Sequence, residues 1–65
     1  METYQTRLEK ARVRLAKQEY LVAVLKQAID ELKKEGQPTD LEEKVLELLE
    51  RSLRAIRADL AKLAN

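Results

Sequence analysis

Several residue types that carry protein chemistry are missing from this 65-residue sequence. It has no Cys, which excludes disulfides, thiolate metal sites and thiol nucleophiles. It has no His, which removes the commonest general base and the commonest transition-metal ligand. Trp and Phe are absent too, so Tyr4 and Tyr20 are the only aromatic residues. We therefore expect a protein that is not an enzyme and that uses no cofactor and no metal.

Long apolar runs are also missing. The longest wholly apolar run is Leu21–Leu25, whereas a membrane-spanning helix needs about 20 such residues. Met1–Tyr4 does not resemble the start of a signal peptide. These features predict a soluble protein with no membrane contact and a cytoplasmic location.

Glycine and proline are scarce, and they divide the chain at one place. Gly36 and Pro38 are the only residues of their types. Ala, Leu, Glu, Lys and Arg account for 42 of the 65 residues, a composition typical of long helices and coiled coils. The sequence predicts one domain over residues 1–65, with a helix over about 3–35, a turn over 36–39 and a second helix over about 40–63.

The turn carries a consistent set of signals. Gly36 suits the left-handed residue that ends a helix, and Pro38 keeps Gln37 out of helical geometry. Thr39 and Glu42 form the Thr-x-x-Glu pattern of a capping box at the start of the second helix. A connection this short places the two helices side by side in opposite directions.

Each predicted helix has a main apolar stripe with heptad spacing, which indicates lengthwise helix packing. The stripes are Tyr4, Leu8, Ala11, Leu15, Gln18, Val22, Leu25, Ile29 and Leu32 in the first helix, and Leu46, Leu49, Leu53, Ile56, Leu60 and Leu63 in the second. Folding the chain back on itself pairs Ile29 with Leu46, Val22 with Leu53 and Leu15 with Leu60. These pairs would form the core of the hairpin.

A second apolar row lies beside each main stripe and finds no partner within one hairpin. Leaving such residues in water forfeits about 1.5–3 kcal/mol each relative to full burial. The sequence therefore predicts an all-α protein, an antiparallel helical hairpin that dimerises into a four-helix bundle. The predicted interface consists of Gln18, Leu21, Val24, Ala28, Leu41, Val45, Leu48, Ser52 and Ala55.

Three polar residues interrupt the apolar rows: Gln18, Ser52 and Asp59. A polar residue in a heptad seam often fixes register or partner number at some cost in stability. If two hairpins pack antiparallel around the first helix, Gln18 can meet its symmetry mate, with each amide donating to the other carbonyl. The alternative is that Ser52 bonds its own helix backbone and Asp59 lies at a bundle end.

Charge is unevenly distributed, although the net charge is only +1. The open end, residues 7–17 with 51–62, has nine basic and two acidic groups, a net +7. The loop end, residues 30–50, has eight acidic and three basic groups, a net −5. One interpretation is that two hairpins pack with their loops at opposite ends, basic against acidic. The other is a nucleic-acid patch formed by Arg7, Arg12, Arg14, Arg54 and Arg57, but it lacks aromatics for base stacking.

Acidic pairs offer a weaker case for chemistry. Asp30 with Glu31 and Glu42 with Glu43 resemble carboxylate pairs that bind metals or move protons when buried. Helical di-metal sites, however, use Glu-x-x-His on facing helices, and His is missing. We interpret these carboxylates as a solvated helix face.

The turn and the helix after it carry a family resemblance. Leu32-x-x-x-Gly36-x-x-Thr39, followed by Leu46-x-x-Leu49-Glu50-x-Ser52-Leu53, resembles small uncharacterised two-helix proteins of alpha-proteobacteria over roughly residues 18–63. The resemblance implies a helical hairpin and brings no established activity. Design is the alternative origin, since a capped short loop between helices of uniform strong helix formers is typical of engineered or de novo scaffolds.

The sequence thus predicts a non-enzymatic structural or interaction protein that associates with itself as a homodimer. One alternative is a binding module in which the second row docks a helix of another protein. A nucleic-acid-binding four-helix dimer is a further alternative, which the missing aromatics make less favourable.

Overall fold

Two long helices form the molecule in a computed structural model that describes residues 3–64, with Ala64 described in its backbone alone. Helix α1 spans Tyr4–Lys34 and helix α2 spans Asp40–Ala64. The observed bounds differ from the predicted ones by at most one residue. The described chain has no strand, and the predicted helical hairpin is confirmed. Residues 1, 2 and 65 of the predicted domain lie outside the described part.

The end of α1 is closed by a paired set of backbone hydrogen bonds. The N–H of Gln37 donates to the carbonyl of Leu32 at 2.9 Å, and the N–H of Gly36 donates to that of Lys33 at 3.0 Å. This pattern is a Schellman motif, which satisfies carbonyls that the helix itself leaves unpaired. It requires a left-handed residue after the helix, and Gly36 has φ +74°. The predicted role of Gly36 is confirmed.

The two helix starts differ in how they are capped. At α1 the N–H of Thr6 donates to the Thr3 hydroxyl oxygen at 3.2 Å, which satisfies one of the unpaired donors of the first turn. At α2 the residue before the helix, Thr39, is buried, and its carbonyl accepts from the N–H of Glu43 at 2.9 Å. Asp40, Glu42 and Glu43 place negative charge in the first turn of α2, where the helix dipole favours it.

The core is a thin seam between the helices. Val22 and Ile29 of α1 and Leu53 and Ile56 of α2 are the buried apolar side chains among the described residues. The other members of the two stripes are partly buried, except Tyr4, which is exposed. No described side chain is fully enclosed. A core this small is marginal for independent stability.

Contacts along the seam show the antiparallel register. Arg57 pairs with Glu19 at 3.4 Å, and Lys33 pairs with Glu43 at 3.1 Å near the loop. Val22 and Leu53 line the same groove, in agreement with their predicted pairing. At the open end the Tyr4 hydroxyl donates to the carbonyl of Leu63. This hydrogen bond joins the start of α1 to the end of α2.

Candidate protein-interaction surface

Large apolar side chains remain exposed along one side of the hairpin. We define the apolar face as Leu21, Val24 and Ala28 of α1 with Leu41, Val45, Leu48, Ser52 and Ala55 of α2. Its five large members are between 41% and 71% exposed: Leu21, Val24, Leu41, Val45 and Leu48. Ala55 is exposed, whereas Ala28 and Ser52 are partly buried. Six of the nine predicted interface residues, including all the large apolar ones, are therefore exposed in the hairpin.

The contributions of the two helices lie on the same side of the hairpin. A groove at the open end is lined by Arg14 of α1 and by Asp59 of α2. Leu21 lies seven residues after Arg14, and Ser52 lies seven residues before Asp59. Residues seven apart lie on the same side of a helix, so the apolar face continues directly from this groove.

The exposed area of the chain is large for its mass. It exposes 5327 Å², whereas a compact monomer of this mass exposes about 4200 Å². The excess of about 1100 Å² is comparable to the roughly 800 Å² per partner of a standard protein–protein interface. Its extents of 50 × 18 × 14 Å describe a rod, the shape that produces this excess. Packing a second rod alongside would remove it.

The groove at the open end is basic around an apolar floor. Its apolar members are Ala11, Ile56 and Leu63. Its charged members are Arg7, Lys10, Arg14 and Lys62 with the single acidic residue Asp59. Asp59, which the sequence placed on the apolar arc of the second helix, is exposed here among basic groups.

A second groove runs along the opposite side of the hairpin. Arg54 and Arg57 line it together with Glu19, the ion-pair partner of Arg57. Arg7 and Arg14 line the basic groove instead. Four of the five arginines of the alternative nucleic-acid patch are therefore divided between two grooves on opposite sides of the molecule.

After ion pairing within the chain, the unpaired charges at the two ends have mainly opposite signs. Lys33 and Lys34, two of the three basic groups of the loop end, pair with Glu43 and Asp30. Five loop-end carboxylates have no ion pair among residues 3–64: Glu31, Glu35, Asp40, Glu42 and Glu50. At the open end Arg7, Arg12, Arg14, Lys17, Arg54 and Lys62 are likewise unpaired within the described chain. The opposite charges that remain lie at opposite ends of the rod.

Gln18 lies at the edge between the core and the apolar face. Its side chain is partly buried, and its Oε1 atom is buried without a hydrogen-bond donor. An unsatisfied buried acceptor costs about 1–3 kcal/mol. The sequence identified Gln18 as a polar interruption of the stripe, and the structure adds that a single hairpin leaves its carbonyl oxygen unpaired.

Two exposed residues that the predicted interface omits lie further round α1. Val13 and Tyr20 are 53% and 69% exposed. By helical spacing they lie on the side of α1 away from the core stripe. They extend the apolar surface beyond the width that one packed neighbour covers.

The described residues contain no cluster of three or more Asp, Glu, His or Cys side chains that could hold a metal ion. Over the same residues, neither helix combines the length and apolar character that a membrane span requires.

Comparisons with known proteins found no matching family model, no matching curated protein and no matching solved structure. The apolar face and the charges beside it therefore carry the functional argument.

Proposed function

We propose that the chain is a non-enzymatic interaction protein whose activity is self-association, two hairpins forming a four-helix bundle through the apolar face. The observation that carries this proposal is the exposure of Leu21, Val24, Leu41, Val45 and Leu48 along one side of a hairpin with only a thin core. About half of each side chain is exposed, so covering it stabilises the assembly by roughly 1 kcal/mol per residue. The partner is a second copy because the unpaired charges at the two ends are complementary to each other.

The first prediction tests this surface by substitution. Replacing both Leu21 and Leu48 by Glu places unpaired charge in a contact from which dimerisation removes water. Burying such charge is strongly unfavourable. We expect the parent to have the mass of a dimer and the variant that of a monomer. The variant should also lose much of its helix, because the isolated hairpin has a small core. Light scattering across a concentration series and circular dichroism measure the two effects.

A matched control introduces the same charges on the other side. Val13→Glu with Ala58→Glu changes one exposed residue per helix outside the apolar face, and this variant should remain dimeric. If the Leu21 and Leu48 variant stays dimeric and as stable as the parent, the interface lies elsewhere. If the parent is monomeric with intact helix at about 100 µM, self-association is wrong. The apolar face would then be left for a helix of another protein.

A further inference from the structure

The flank of α1 beside the apolar face changes from basic to apolar to acidic along its length. Two rows with heptad spacing show the same order. The first row is Arg7, Arg14, Leu21, Ala28 and Glu35, and the second is Lys10, Lys17, Val24 and Glu31. Each row therefore has its positive charges near the open end, its apolar residues in the middle and its negative charge near the loop.

This order is complementary to itself when one copy is reversed. A two-fold axis across α1 at Leu21 places Arg7 opposite the partner's Glu35 and Lys10 within one residue of the position opposite the partner's Glu31. Leu21 then meets its own mate at the axis, whereas Ala28 faces the partner's Arg14 and Val24 lies beside the partner's Lys17. A parallel arrangement instead places every charge of the two rows opposite its own copy, which is unfavourable.

The structure leaves three of the charged groups in the two rows open to a partner. Arg7, Glu31 and Glu35 are exposed and have no ion pair within the described residues. Leu21 and Val24, between them, are 47% and 46% exposed. The charges and the apolar centre thus lie along one continuous side of α1.

We propose that the dimer is built around antiparallel packing of α1 on the partner's α1, with the two-fold axis at Leu21 and the loops at opposite ends. This inference rests on the proposed self-association and specifies its geometry. It places the axis three residues, less than one helical turn, from Gln18. The charges of the two rows therefore favour Leu21 over Gln18 as the residue that meets its own mate.

Charge reversal separates antiparallel from parallel packing. An acidic variant carries Arg7→Glu with Lys10→Glu, and a basic variant carries Glu31→Lys with Glu35→Lys. In the antiparallel dimer each variant alone sets like charges opposite one another at both ends. We expect each to dissociate at least about tenfold more readily than the parent. An equimolar mixture restores opposite charges at both ends, so it should form a heterodimer of parent-like affinity.

Sedimentation at equal ionic strength measures these affinities, and circular dichroism checks that each variant remains helical in the mixture. Arg12→Glu with Arg54→Glu is the matched control, since it makes the same change in net charge at exposed residues outside the two rows. It should dimerise like the parent. Variants that dimerise like the parent would overturn the antiparallel geometry, and so would a control that is weakened as much as the acidic variant. A monomeric parent would remove the proposed function as well.

Cysteine crosslinking locates the axis directly, because the native chain has no Cys. A disulfide needs Cα atoms about 4.4–6.8 Å apart, so a residue on a two-fold axis can crosslink to its own mate. Leu21→Cys should form a covalent dimer on mild oxidation. Glu35→Cys should not crosslink to itself but should crosslink to Arg7→Cys when the two variants are mixed. Faster crosslinking by Gln18→Cys than by Leu21→Cys would move the axis to Gln18 and overturn the proposal.

Discussion

Gln18 is the residue whose chemistry is least satisfied in the hairpin. A glutamine amide has two donors and a carbonyl that accepts, and this carbonyl oxygen is buried without a donor. Leucine at the same position would extend the apolar stripe without an unpaired polar atom. Gln18 therefore lowers the free energy of unfolding relative to leucine. A preferred helix register is the kind of benefit that offsets such a loss.

We predict that Gln18→Leu raises the melting temperature. Removing an unsatisfied buried acceptor gains about 1–3 kcal/mol, and about 1 kcal/mol shifts the midpoint of a domain this small by roughly 4–8 °C. Thermal melting followed by circular dichroism at one protein concentration measures the change. Gln27→Leu, at an exposed position of α1, is the matched control and should change the midpoint little. A lower midpoint for Gln18→Leu would mean that its amide makes a favourable contact in the assembly.

Tyr4 shows what the sequence alone does not give at this scale. Its place in the stripe follows from helical spacing, and so does an exposed position near the end of the bundle. The hydrogen bond to the Leu63 carbonyl depends on where α2 ends relative to α1, which the length of the turn and the register decide together. For Gln18, likewise, spacing predicts the position in the stripe but not whether a donor lies within reach.

At the scale of the elements, the connection between α1 and α2 is held by backbone geometry. Gly36 adopts φ +74°, and a Cβ added there would meet nothing within 4 Å. Glycine is therefore required at this position for its backbone conformation and not because neighbouring atoms would crowd a side chain. It comes from the left-handed backbone that the Schellman motif demands.

We predict that Gly36→Ala destabilises the protein by about 1–2 kcal/mol, the cost of a left-handed backbone for a residue with Cβ. Urea unfolding at fixed protein concentration measures the loss. Gly36→Asn is the comparison variant, since Asn tolerates this conformation better, and it should lose less. Equal losses for the two variants would show that the backbone at this position changes on substitution.

The helices themselves follow closely from the sequence, because local signals determine their ends. The glycine at residue 36 and the proline at residue 38 end α1, and the acidic first turn begins α2. The apolar face could also be predicted, since its rows repeat every seven residues. The division of the basic residues between two grooves was harder to predict: Arg14 and Arg54 fall on opposite sides only once the register of the hairpin is known.

At the scale of the whole molecule, the hairpin is a thin rod with a radius of gyration of 15.2 Å, whereas a compact domain of this length has about 11 Å. A rod of two helices has no layer of side chains that is covered on all sides. Its stability is therefore expected to come largely from a neighbour. In a self-associating protein that neighbour is a second copy, so stability depends on protein concentration.

We predict that the melting temperature falls on dilution. Tenfold dilution removes about 1.4 kcal/mol from the free energy that holds a dimer together, so the midpoint should fall by a few degrees per tenfold step. Thermal scans between about 1 and 100 µM test this. The Leu21→Glu, Leu48→Glu variant is the control, and its midpoint, where one is measurable, should not depend on concentration. A parent with a constant midpoint would contradict coupled folding and association.

The hydrogen bond between Tyr4 and Leu63 also bears on where segments attached to the two ends of the hairpin leave it. Because it joins the beginning of α1 to the end of α2, a segment attached before Tyr4 and one attached after Leu63 leave the hairpin side by side. In a dimer with loops at opposite ends, these exits point away from each other along a rod about as long as the 50 Å hairpin. Such a dimer would act as a rigid spacer, holding two attached bodies apart at a separation that the length of its helices sets.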